Sequence, residues 1–372
     1  MKNKGLINMK KRIAAILITI LVLGFISYSF VAYKTNPTPD ENEKITITDH
    51  AGREVEIPKK VDEIVATGPG ALRYIAYLNA TNKVVGIEQH EKTWAKKLPY
   101  NTANPELREL PSIGPPFGGD PSLITEIDPD IIFWRFANKK EANSLQQKTD
   151  IPVIVLSSGG PSGFWKNNTF SKSLNLMGKI LNKEQRAKEI IKYMNKTIED
   201  LEKRTEKIPE TEKEPVYMGA VSWGKSTKGI TSTMPKYPPF QFLNAKNVAE
   251  DIDKRHASIS SEMIIQWNPT KIFMDRAGYN TASKEIKTNT YKTVKAIKND
   301  EIYIVWPYHD YEINLGLVLT DSYYVGKVIY PNQFKDVEIK QKSNEIFQKL
   351  FGTKLHKEMV ENYGELEKIK QN

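Results

Sequence analysis

Arginine and aromatic residues follow several predicted strands of this sequence, at the point where each strand ends. Arg135 comes directly after the apolar run at residues 131–134, and Tyr308 lies shortly after the run at residues 302–305. Ligands of open α/β sheets bind outside the carboxyl ends of the strands. A guanidinium group pairs with carboxylates in a bidentate manner, and an aromatic ring offers a flat apolar contact. The pattern predicts a cleft for a bulky, partly anionic ligand.

Other candidate contacts come from turns and loops at the same strand ends. A Gly-Pro-Gly turn at residues 68–70 precedes a helical stretch, where backbone N–H groups could hold an anion or a carbonyl. The connection at residues 225–241 is long and contains hydroxyl and aromatic side chains, which is typical of a functional loop. The predicted ligand contacts are Gly70, Arg73, Phe117, Arg135, Trp165, Trp223, Ser226, Tyr237 and Tyr308.

The sequence gives no sign of an intrinsic metal site, cofactor or catalytic centre. It contains no cysteine, which excludes disulfides, iron–sulfur clusters, thiolate zinc sites and a lipid-modified N-terminal cysteine. Of its five histidines, we expect only His309 to lie where a ligand would bind. The motifs G-x-S-x-G and H-E-x-x-H, the P-loop and a complete dinucleotide-binding fingerprint are all missing. An enzyme is therefore the less favoured class of protein, although paired carboxylates cannot be located from sequence.

The net charge of +9 comes from 54 basic and 45 acidic residues, which are interspersed along the chain. A nucleic-acid-binding surface would need basic residues clustered with aromatic ones. We therefore expect no nucleic-acid partner. The small basic excess favours a solvated surface or proximity to anionic lipid.

The elements that must position the cleft are two α/β lobes around one long helix. Apolar residues recur every three or four positions in residues 184–207, as in a helix with one buried stripe. Short apolar strands alternate with helical segments on both sides, so the prediction is two Rossmann-like lobes joined by one interlobe α-helix. The predicted lobes are residues 45–168 and 210–372, with the helix at 169–209. An ordinary surface helix of a single domain is the alternative.

The N-terminus is predicted to be a signal or a membrane anchor. Basic residues precede residues 13–32, an uncharged and mostly apolar run long enough to span a bilayer. We expect residues 1–33 to form an uncleaved anchor, with secretion after cleavage as the alternative. The polar, proline-containing residues 34–44 would form a flexible tether. The remainder would then be extracytoplasmic.

Several segments follow one another in a characteristic order: residues 48–58, 61–67, 84–87, 113–121 and 127–132 in the first lobe and residues 242–249 in the second. Their order and spacing resemble those of the class III periplasmic binding proteins. The resemblance implies the substrate-binding component of an ABC importer for an iron–siderophore, haem or cobalamin. The implied partners are a permease and its ATPase subunits, and the implied cargo is an iron chelate or corrinoid. A direct metal-ion binding protein and a membrane-tethered ligand sensor remain alternatives.

The resemblance also implies how the permease is recognised. Members of this family dock through one acidic residue on each lobe, and the matching residue of the second lobe is Glu262. In the first lobe the matching position holds Ser122, which departs from the family pattern. We expect nearby Asp120 to substitute for it, with a one-sided dock as the alternative.

Overall fold

The computed structural model describes residues 43–157, 168–222 and 229–370, together with Gly5, Met9, Thr19 and Leu21. The chain divides into two compact units, of which the larger comprises Thr46–Ile57 and Val61–Asn372. In the smaller unit, Met1–Ile45 with Pro58–Lys60, the Lys59 N–H donates to the Glu43 carbonyl oxygen over 2.8 Å.

None of the helices among the described residues has the length and apolar character needed to span a bilayer. The predicted anchor at residues 13–32 lies outside those residues, apart from Thr19 and Leu21. The anchor therefore stays a prediction.

The first lobe is built from a parallel sheet with helices between its strands. Its elements are β1 (Lys44–Thr48), β2 (Glu54–Pro58), β3 (Ile64–Thr67), α1 (Ala71–Tyr77), β4 (Val84–Gly86), α2 (Gln89–Thr93), α3 (Pro99–Ala103), α4 (Pro121–Ile127), β5 (Ile131–Arg135), α5 (Lys139–Thr149) and β6 (Val153–Leu156), with short 3-10 helices at Thr81–Lys83, Ala95–Lys97 and Pro105–Glu109.

Strand order in the first-lobe sheet is β4-β3-β5-β6, with all neighbours parallel, and β1 and β2 form a separate two-stranded sheet. Every residue of β3, β5 and β6 is buried, as expected when helices cover both faces of a parallel sheet. One core cluster of this lobe packs Ile124 of α4 and Ala142 of α5 against Ile132 of β5. All parallel strands end at one edge, so the loops that follow them meet there.

Two helices connect the lobes, α6 (Thr169–Ile180) and α7 (Glu184–Thr205). The 22 residues of α7 span about 33 Å. Its buried residues follow the expected spacing and include Ala187, Ile190, Met194 and Leu201. A first-turn acid, Glu184, and last-turn cations complement the helix dipole. The predicted long helix is therefore present.

The second lobe repeats the α/β architecture. Its elements are β7 (Pro215–Gly219), β8 (Ser232–Thr233), α8 (Pro238–Phe242), β9 (Lys246–Asn247), β10 (Ala257–Ser258), α9 (Ser261–Trp267), β11 (Lys271–Asp275), α10 (Tyr279–Glu285), α11 (Lys295–Lys298), β12 (Ile302–Val305), α12 (Leu315–Ile329), α13 (Ile339–Phe351), α14 (His356–Tyr363) and β13 (Glu367–Ile369), with 3-10 helices at Glu210–Glu212 and Asn289–Tyr291.

The second-lobe sheet has the order β13-β12-β11-β7-β9, in which only the β12–β13 pair is antiparallel. Strands β8 and β10 form a small antiparallel sheet of their own. The main core packs Ile264 of α9 against Ile272 of β11 and Ile302 of β12. The architecture confirms the predicted fold class, two α/β lobes with a long helix between them.

Candidate functional site

Gly70 lies between two arginines, at the start of α1. Its φ angle is +80°, and a Cβ atom added there would lie 3.0 Å from Arg135 Nη1 and 3.2 Å from Arg73 Nη1. A side chain at this position would therefore strain the backbone and push both guanidinium groups aside by a few tenths of an ångström. The structure places Gly70 where both arginines can approach the strand ends of the first lobe.

The Arg73 guanidinium connects the two lobes. The side chain is buried in the first lobe, 5.0 Å above the Tyr100 ring, and donates hydrogen bonds to carbonyl oxygens of the second lobe. These bonds measure 2.6 Å to Ile313, 2.9 Å to Tyr311 and 3.3 Å to Asp310. Backbone carbonyls thus hold Arg73, which lies outside the lining of the cavity described below.

Backbone carbonyl oxygens also hold the Arg135 guanidinium. It is buried at the end of β5 and donates to the carbonyl oxygens of Pro69, at 2.8 Å, and Ser157, at 3.4 Å. It also lies 4.6 Å from the Phe136 ring centroid. Arg135 is absent from the cavity lining too. Ligand contact by either arginine stays a prediction, and the contacts seen here are structural.

A cavity of about 1260 Å³ opens at the strand ends of both lobes. The first lobe contributes a single segment to its lining, with His90, Trp94 and Lys97. Several loops of the second lobe and its last helix supply the remaining residues. They are Ser222, His256, Asp275, Arg276, Ala277, Tyr279, Asn280, Pro307, His309, Asp310, Tyr311, Glu312, Asn362 and Tyr363.

His256 and His309 form the histidine side of this cavity, with ring centroids 5.3 Å apart. Burial lowers the pKa of His256 to about 4, and the charges of His309 and Arg255 act in the same direction. His256 is therefore neutral at neutral pH. A neutral imidazole nitrogen is a good ligand for a transition metal.

Glu312 is held beside these histidines as a carboxylate. Its Oε1 accepts from Arg255 Nη2 at 2.8 Å and lies 3.4 Å from His309 Nε2. Burial raises the pKa of Glu312, but the hydrogen bond with His309 and the charge of Arg135 outweigh burial and hold the pKa well below its usual range. Tyr311 and Glu312 both have left-handed backbone, with φ angles of 47° and 72°. Strained residues of this kind cluster at ligand-binding loops.

His90 and Tyr311 join the two walls of the cavity. Their rings, one from each lobe, lie 4.1 Å apart between centroids. The Tyr311 hydroxyl donates to Glu88, a buried carboxylate of the first lobe. Burial lowers the pKa of His90, which keeps a second imidazole neutral, while Asp310 and Glu88 oppose that shift.

Asp275 ends strand β11 and contributes a buried carboxyl group to the lining. Burial raises its pKa to about 7, although the backbone N–H of Ala277 donates to it over 2.8 Å. Asp321 of α12 is also buried. Burial raises its pKa, and the hydrogen bond that it accepts from the Trp306 N–H opposes that shift. The second lobe thus carries acidic groups that hold their protons at mildly acidic pH.

Tyr237 and Tyr308 are buried in the second lobe. The Tyr237 ring packs edge-on against Phe240 at 4.9 Å and lies 5.7 Å from the Tyr308 ring. The Tyr308 hydroxyl donates to Met234 Sδ over 2.7 Å. Both rings are core residues here, and neither lines the cavity.

Phe117 is exposed on the first lobe, and three other predicted contacts cannot be placed. The Phe117 N–H donates to Glu88 Oε1 over 2.9 Å, the carboxylate that also accepts from Tyr311. Trp165, Trp223 and Ser226 lie outside the described residues.

The two predicted docking acids lie at helix starts. Glu262 is exposed in the first turn of α9, and Asp120 caps α4 by accepting from the Ser122 N–H over 2.9 Å. Hydrogen bonding holds the pKa of each carboxyl below its usual range. Both are therefore charged at neutral pH.

The sequence placed only His309 of the five histidines at the expected ligand position, and the structure adds His90 and His256 to the lining of the same cavity. His90 and Trp94 follow strand β4. The rule that ligands bind outside the carboxyl ends of the strands, the strand-end rule, could therefore have found them. His256 precedes the short strand β10, and no local pattern in the sequence marks it. Within residues 43–157, 168–222 and 229–370, no group of three His, Cys, Asp or Glu side chains could hold a metal ion alone.

Comparison with known proteins agrees with this architecture. Residues 64–308 match the sequence model of a family described as "Periplasmic binding protein". The molybdate-binding protein MolA of Haemophilus influenzae is 23% identical over 329 residues, which cover 82% of this chain and 91% of MolA. The petrobactin-binding protein YclQ of Bacillus subtilis is 24% identical over 298 residues, which cover 77% of this chain and 87% of YclQ.

Solved structures share the fold. MolA bound to molybdate superimposes with a TM-score of 0.67 at 20% identity, covering 83% of this chain and 98% of MolA. A Ni-His complex of Helicobacter pylori CeuE superimposes with a TM-score of 0.59 at 17% identity, covering 86% of this chain and 99% of CeuE. The structure of YclQ gives a TM-score of 0.56 at 21% identity, covering 83% of this chain and 99% of YclQ.

Proposed function

This chain belongs to the periplasmic binding protein family, as its sequence predicted, and we propose from this that it is the extracytoplasmic substrate-binding component of an ABC importer. In this proposal it captures a metal chelate between its lobes and delivers the chelate to a permease and its ATPase subunits. The observation that carries the proposal is the cavity at the strand ends, where neutral imidazoles from both lobes face one space.

The size of the cavity supports a bulky cargo. Pockets for small ligands commonly measure roughly 300–1000 Å³, and this one measures about 1260 Å³. A single hydrated ion would fill little of that space. An iron chelate or a corrinoid fits the volume better.

The donor chemistry supports a metal complex. Imidazole and carboxylate groups suit iron, nickel and cobalt, and His256, His309 and Asp275 offer such groups to one space. In this proposal the cargo brings most of its own ligands, and the described residues contain no complete metal-ion site. In this proposal the protein histidines fill coordination positions that the chelator leaves open.

The named relatives support the same class of cargo. Their descriptions give petrobactin, a nickel–histidine complex and molybdate as ligands of those proteins. Two of the three ligands are chelators or chelates. Molybdate is a small oxyanion, so molybdate and uncomplexed metal ions belong in any binding panel.

The test is calorimetric titration of the full chain with ferric citrate, ferric catecholate, nickel–histidine, a corrinoid, uncomplexed Ni²⁺ and Fe³⁺, and molybdate. We expect at least one chelate to bind more tightly than every uncomplexed ion. His256→Ala and His309→Ala should weaken that binding about tenfold or more, while His50→Ala, outside the cavity lining, should not. Binding of uncomplexed ions or molybdate alone would overturn the chelate proposal.

Membrane attachment through residues 13–32 is part of the proposal, because that apolar run follows a basic segment. The full chain should sediment with membranes, and a variant that starts at Glu43 should not. Recovery of the protein from the medium, cut near Tyr33, would contradict the anchor. A tethered ligand sensor would bind the same cargo without moving it, so uptake into reconstituted vesicles separates the sensor from the importer.

A further inference from the structure

A tight loop of the second lobe, residues 308–314, carries part of the cavity wall. The Asn314 N–H closes the loop by donating to the Tyr308 carbonyl oxygen over 2.8 Å. The buried Asn314 side-chain amide donates to the same oxygen over 3.1 Å. The base of the loop is therefore fixed within the second lobe, and residues 310–312 form its tip.

The tip of this loop has an unfavourable backbone conformation. Tyr311 and Glu312 follow one another with φ angles of 47° and 72°. Left-handed backbone costs free energy in a residue with a Cβ atom. It persists only when the surrounding structure imposes it. The contacts that the tip makes with the first lobe supply such a constraint.

Several first-lobe residues contact the tip. The Tyr311 hydroxyl donates to Glu88, and Arg73 Nη2 donates to the Tyr311 carbonyl oxygen over 2.9 Å. A Cβ atom added at Gly70 would lie 3.7 Å from Glu312 Cβ, so the tip also passes close to the start of α1. The first lobe thus holds the tip through its backbone and through a side chain.

Glu88 is firmly fixed within the first lobe. The residue is 1% exposed. Its Oε1 accepts from the Thr67 hydroxyl over 2.5 Å and from the N–H groups of Gly68 and Phe117, each over 2.9 Å. Its Oε2 accepts from the Tyr311 hydroxyl. Three bonds within the first lobe therefore orient the carboxylate that receives Tyr311, and hydrogen bonds to a carboxylate are among the stronger ones.

The tip leads directly to polar groups of the cavity wall. Glu312 follows Tyr311 in the chain, and both line the cavity together with His309. Arg255 Nη2 donates to Glu312 Oε1 over 2.8 Å and lies 2.6 Å from His309 Nε2. A shift of the Tyr311 backbone would therefore displace Glu312, and through Arg255 it would disturb the His309 ring.

We propose that Glu88 is a positioning residue, which holds Tyr311 from the first lobe and thereby sets the placement of Glu312 and His309 in the second-lobe wall of the cavity. This inference rests on the proposed function, since it names a residue on which cargo binding depends. Glu88 lies outside the cavity lining, so it acts through Tyr311 and not by contact with cargo. The second-lobe wall then has its binding geometry only while the lobes are in contact.

The first test uses the ligand-free full chain with isotope-labelled histidine. The chain has five histidines, so their ring signals in NMR spectra are few, and His309→Gln identifies the signal of His309. Tyr311→Phe keeps the aromatic ring and loses the hydroxyl, whereas Glu88→Ala removes the acceptor. Both variants should shift the His309 ring signal in the same direction at pH 8, although Glu88 lies in the other lobe.

Two variants are matched controls. Tyr100→Phe removes the same kind of bond within the first lobe, where the buried Tyr100 hydroxyl donates to Glu91 over 2.7 Å. It should leave the His309 signal in place. Glu88→Gln keeps an acceptor for the first-lobe donors and offers an amide N–H to the Tyr311 oxygen. It should therefore restore most of the native His309 signal.

Calorimetry measures the effect of this placement on binding, with ferric citrate, ferric catecholate and nickel–histidine as probes. Glu88→Ala should weaken the binding of every chelate that the native protein binds by about tenfold or more, because a charge-assisted hydrogen bond is lost. Tyr100→Phe should bind like the native protein. The double variant of Glu88→Ala and Tyr311→Phe should bind no more weakly than Glu88→Ala alone, since both changes remove one and the same bond.

An unchanged His309 signal in Glu88→Ala and Tyr311→Phe would overturn the positioning role, and so would a shifted signal with native affinity. Additive losses of affinity would also overturn it, because the Tyr311 hydroxyl would then contact cargo directly. If Glu88→Ala does not fold, Tyr311→Phe, which leaves the first-lobe bonds of Glu88 intact, is compared with Tyr100→Phe instead. If no chelate binds the native protein while the His309 signal shifts as expected, the proposed function fails and the positioning role of Glu88 stands.

Discussion

The segment from Asp120 to Arg135 in the first lobe and the segment from Ser260 to Asp275 in the second have the same backbone design. Each begins with a side-chain cap, continues as a seven-residue helix and passes through a left-handed residue and a proline into a five-residue strand. The left-handed residues are Asp128, with φ of 53°, and Asn268, with φ of 48°.

The two segments differ where each strand ends. Arg135 ends β5 and Asp275 ends β11, and both are buried. Backbone carbonyls occupy the guanidinium of Arg135, whereas Asp275 faces the cavity with a raised pKa. One backbone unit thus ends in a side chain held by backbone carbonyls in the first lobe and in a side chain that lines the cavity in the second. The two strand ends differ in the side chain of their last residue, Arg135 in β5 and Asp275 in β11.

The largest effect should come from Arg135→Met. Removal of this buried cation leaves the carbonyl oxygens of Pro69 and Ser157 without their donor and takes a compensating charge away from Glu312. We expect the free energy of unfolding to fall by roughly 2–4 kcal/mol, as measured by urea denaturation. The matched change at the second strand end, Asp275→Asn, should cost less than about 1 kcal/mol at pH 8. Equal losses would contradict the contrast between a strand end held by the backbone and a strand end that lines the cavity.

The second prediction concerns pH. Because the folded-state pKa of Asp275 is raised to about 7, the folded protein binds a proton that the unfolded chain releases near pH 4. The stabilisation from this group is complete below pH 4 and is lost as the pH rises toward and past 7. About three pKa units at about 1.4 kcal/mol each give a stabilisation on the order of 4 kcal/mol.

Denaturation of the native protein and of Asp275→Asn between pH 5 and pH 8 measures this effect. The variant should show a shallower fall of stability with pH. Part of the slope should remain, because burial also raises the pKa of Glu91, to about 7, and of Asp321. Identical slopes in the two proteins would show that Asp275 does not titrate in this range.

The third prediction compares the helix starts, Ser122 in the first lobe and Glu262 in the second. Glu262→Gln should leave chelate affinity unchanged and lower transport or ligand-stimulated ATPase activity in vesicles about tenfold, since an interfacial charge pair would be broken. Asp120→Asn, which retains a capping oxygen, should give a smaller loss. Normal transport by Glu262→Gln, or weakened ligand binding, would remove the docking role from Glu262.

The smallest effects should come from the two left-handed residues. Asp128→Gly relieves backbone strain and should change stability by between 0 and about +1 kcal/mol. Asn268→Gly relieves the same strain but loses the hydrogen bond that Asn268 Oδ1 accepts from the Lys295 N–H over 2.8 Å. It should therefore be less stable than Asp128→Gly by about 0.5–1.5 kcal/mol. Thermal melts of the two variants provide the measurement, and equal shifts would show that the Lys295 bond contributes nothing.

Local patterns in the sequence were enough to predict the architecture. The apolar spacing of Ala187, Ile190 and Met194 predicted α7, and the alternation of short apolar strands with helical segments on both sides of it predicted two α/β lobes. These features depend on residues within one turn or one strand of each other. Their physical causes are therefore visible in the printed sequence.

The candidate site was less predictable, because side-chain direction depends on distant partners. Arg73 follows a strand end as expected, but carbonyls of Asp310, Tyr311 and Ile313 turn its guanidinium toward the other lobe. Tyr308 also follows a strand end, yet its hydroxyl points to Met234 in the core. The strand-end rule locates a side chain, and tertiary packing decides whether that side chain meets a ligand.

The contacts of the residue 310–313 loop have a kinetic consequence. Arg73 and Glu88 hold this second-lobe loop from the first lobe, and Asn362 and Tyr363 of α14 both donate to the Lys97 carbonyl oxygen. Rotation of one lobe against the other would break several of these bonds at once. Cargo escape from the isolated protein should then be slow compared with capture, and stopped-flow chase experiments should show Arg73→Lys shortening the residence time. In the proposed importer, bound cargo would stay in the closed protein until the transporter supplies the energy to open it.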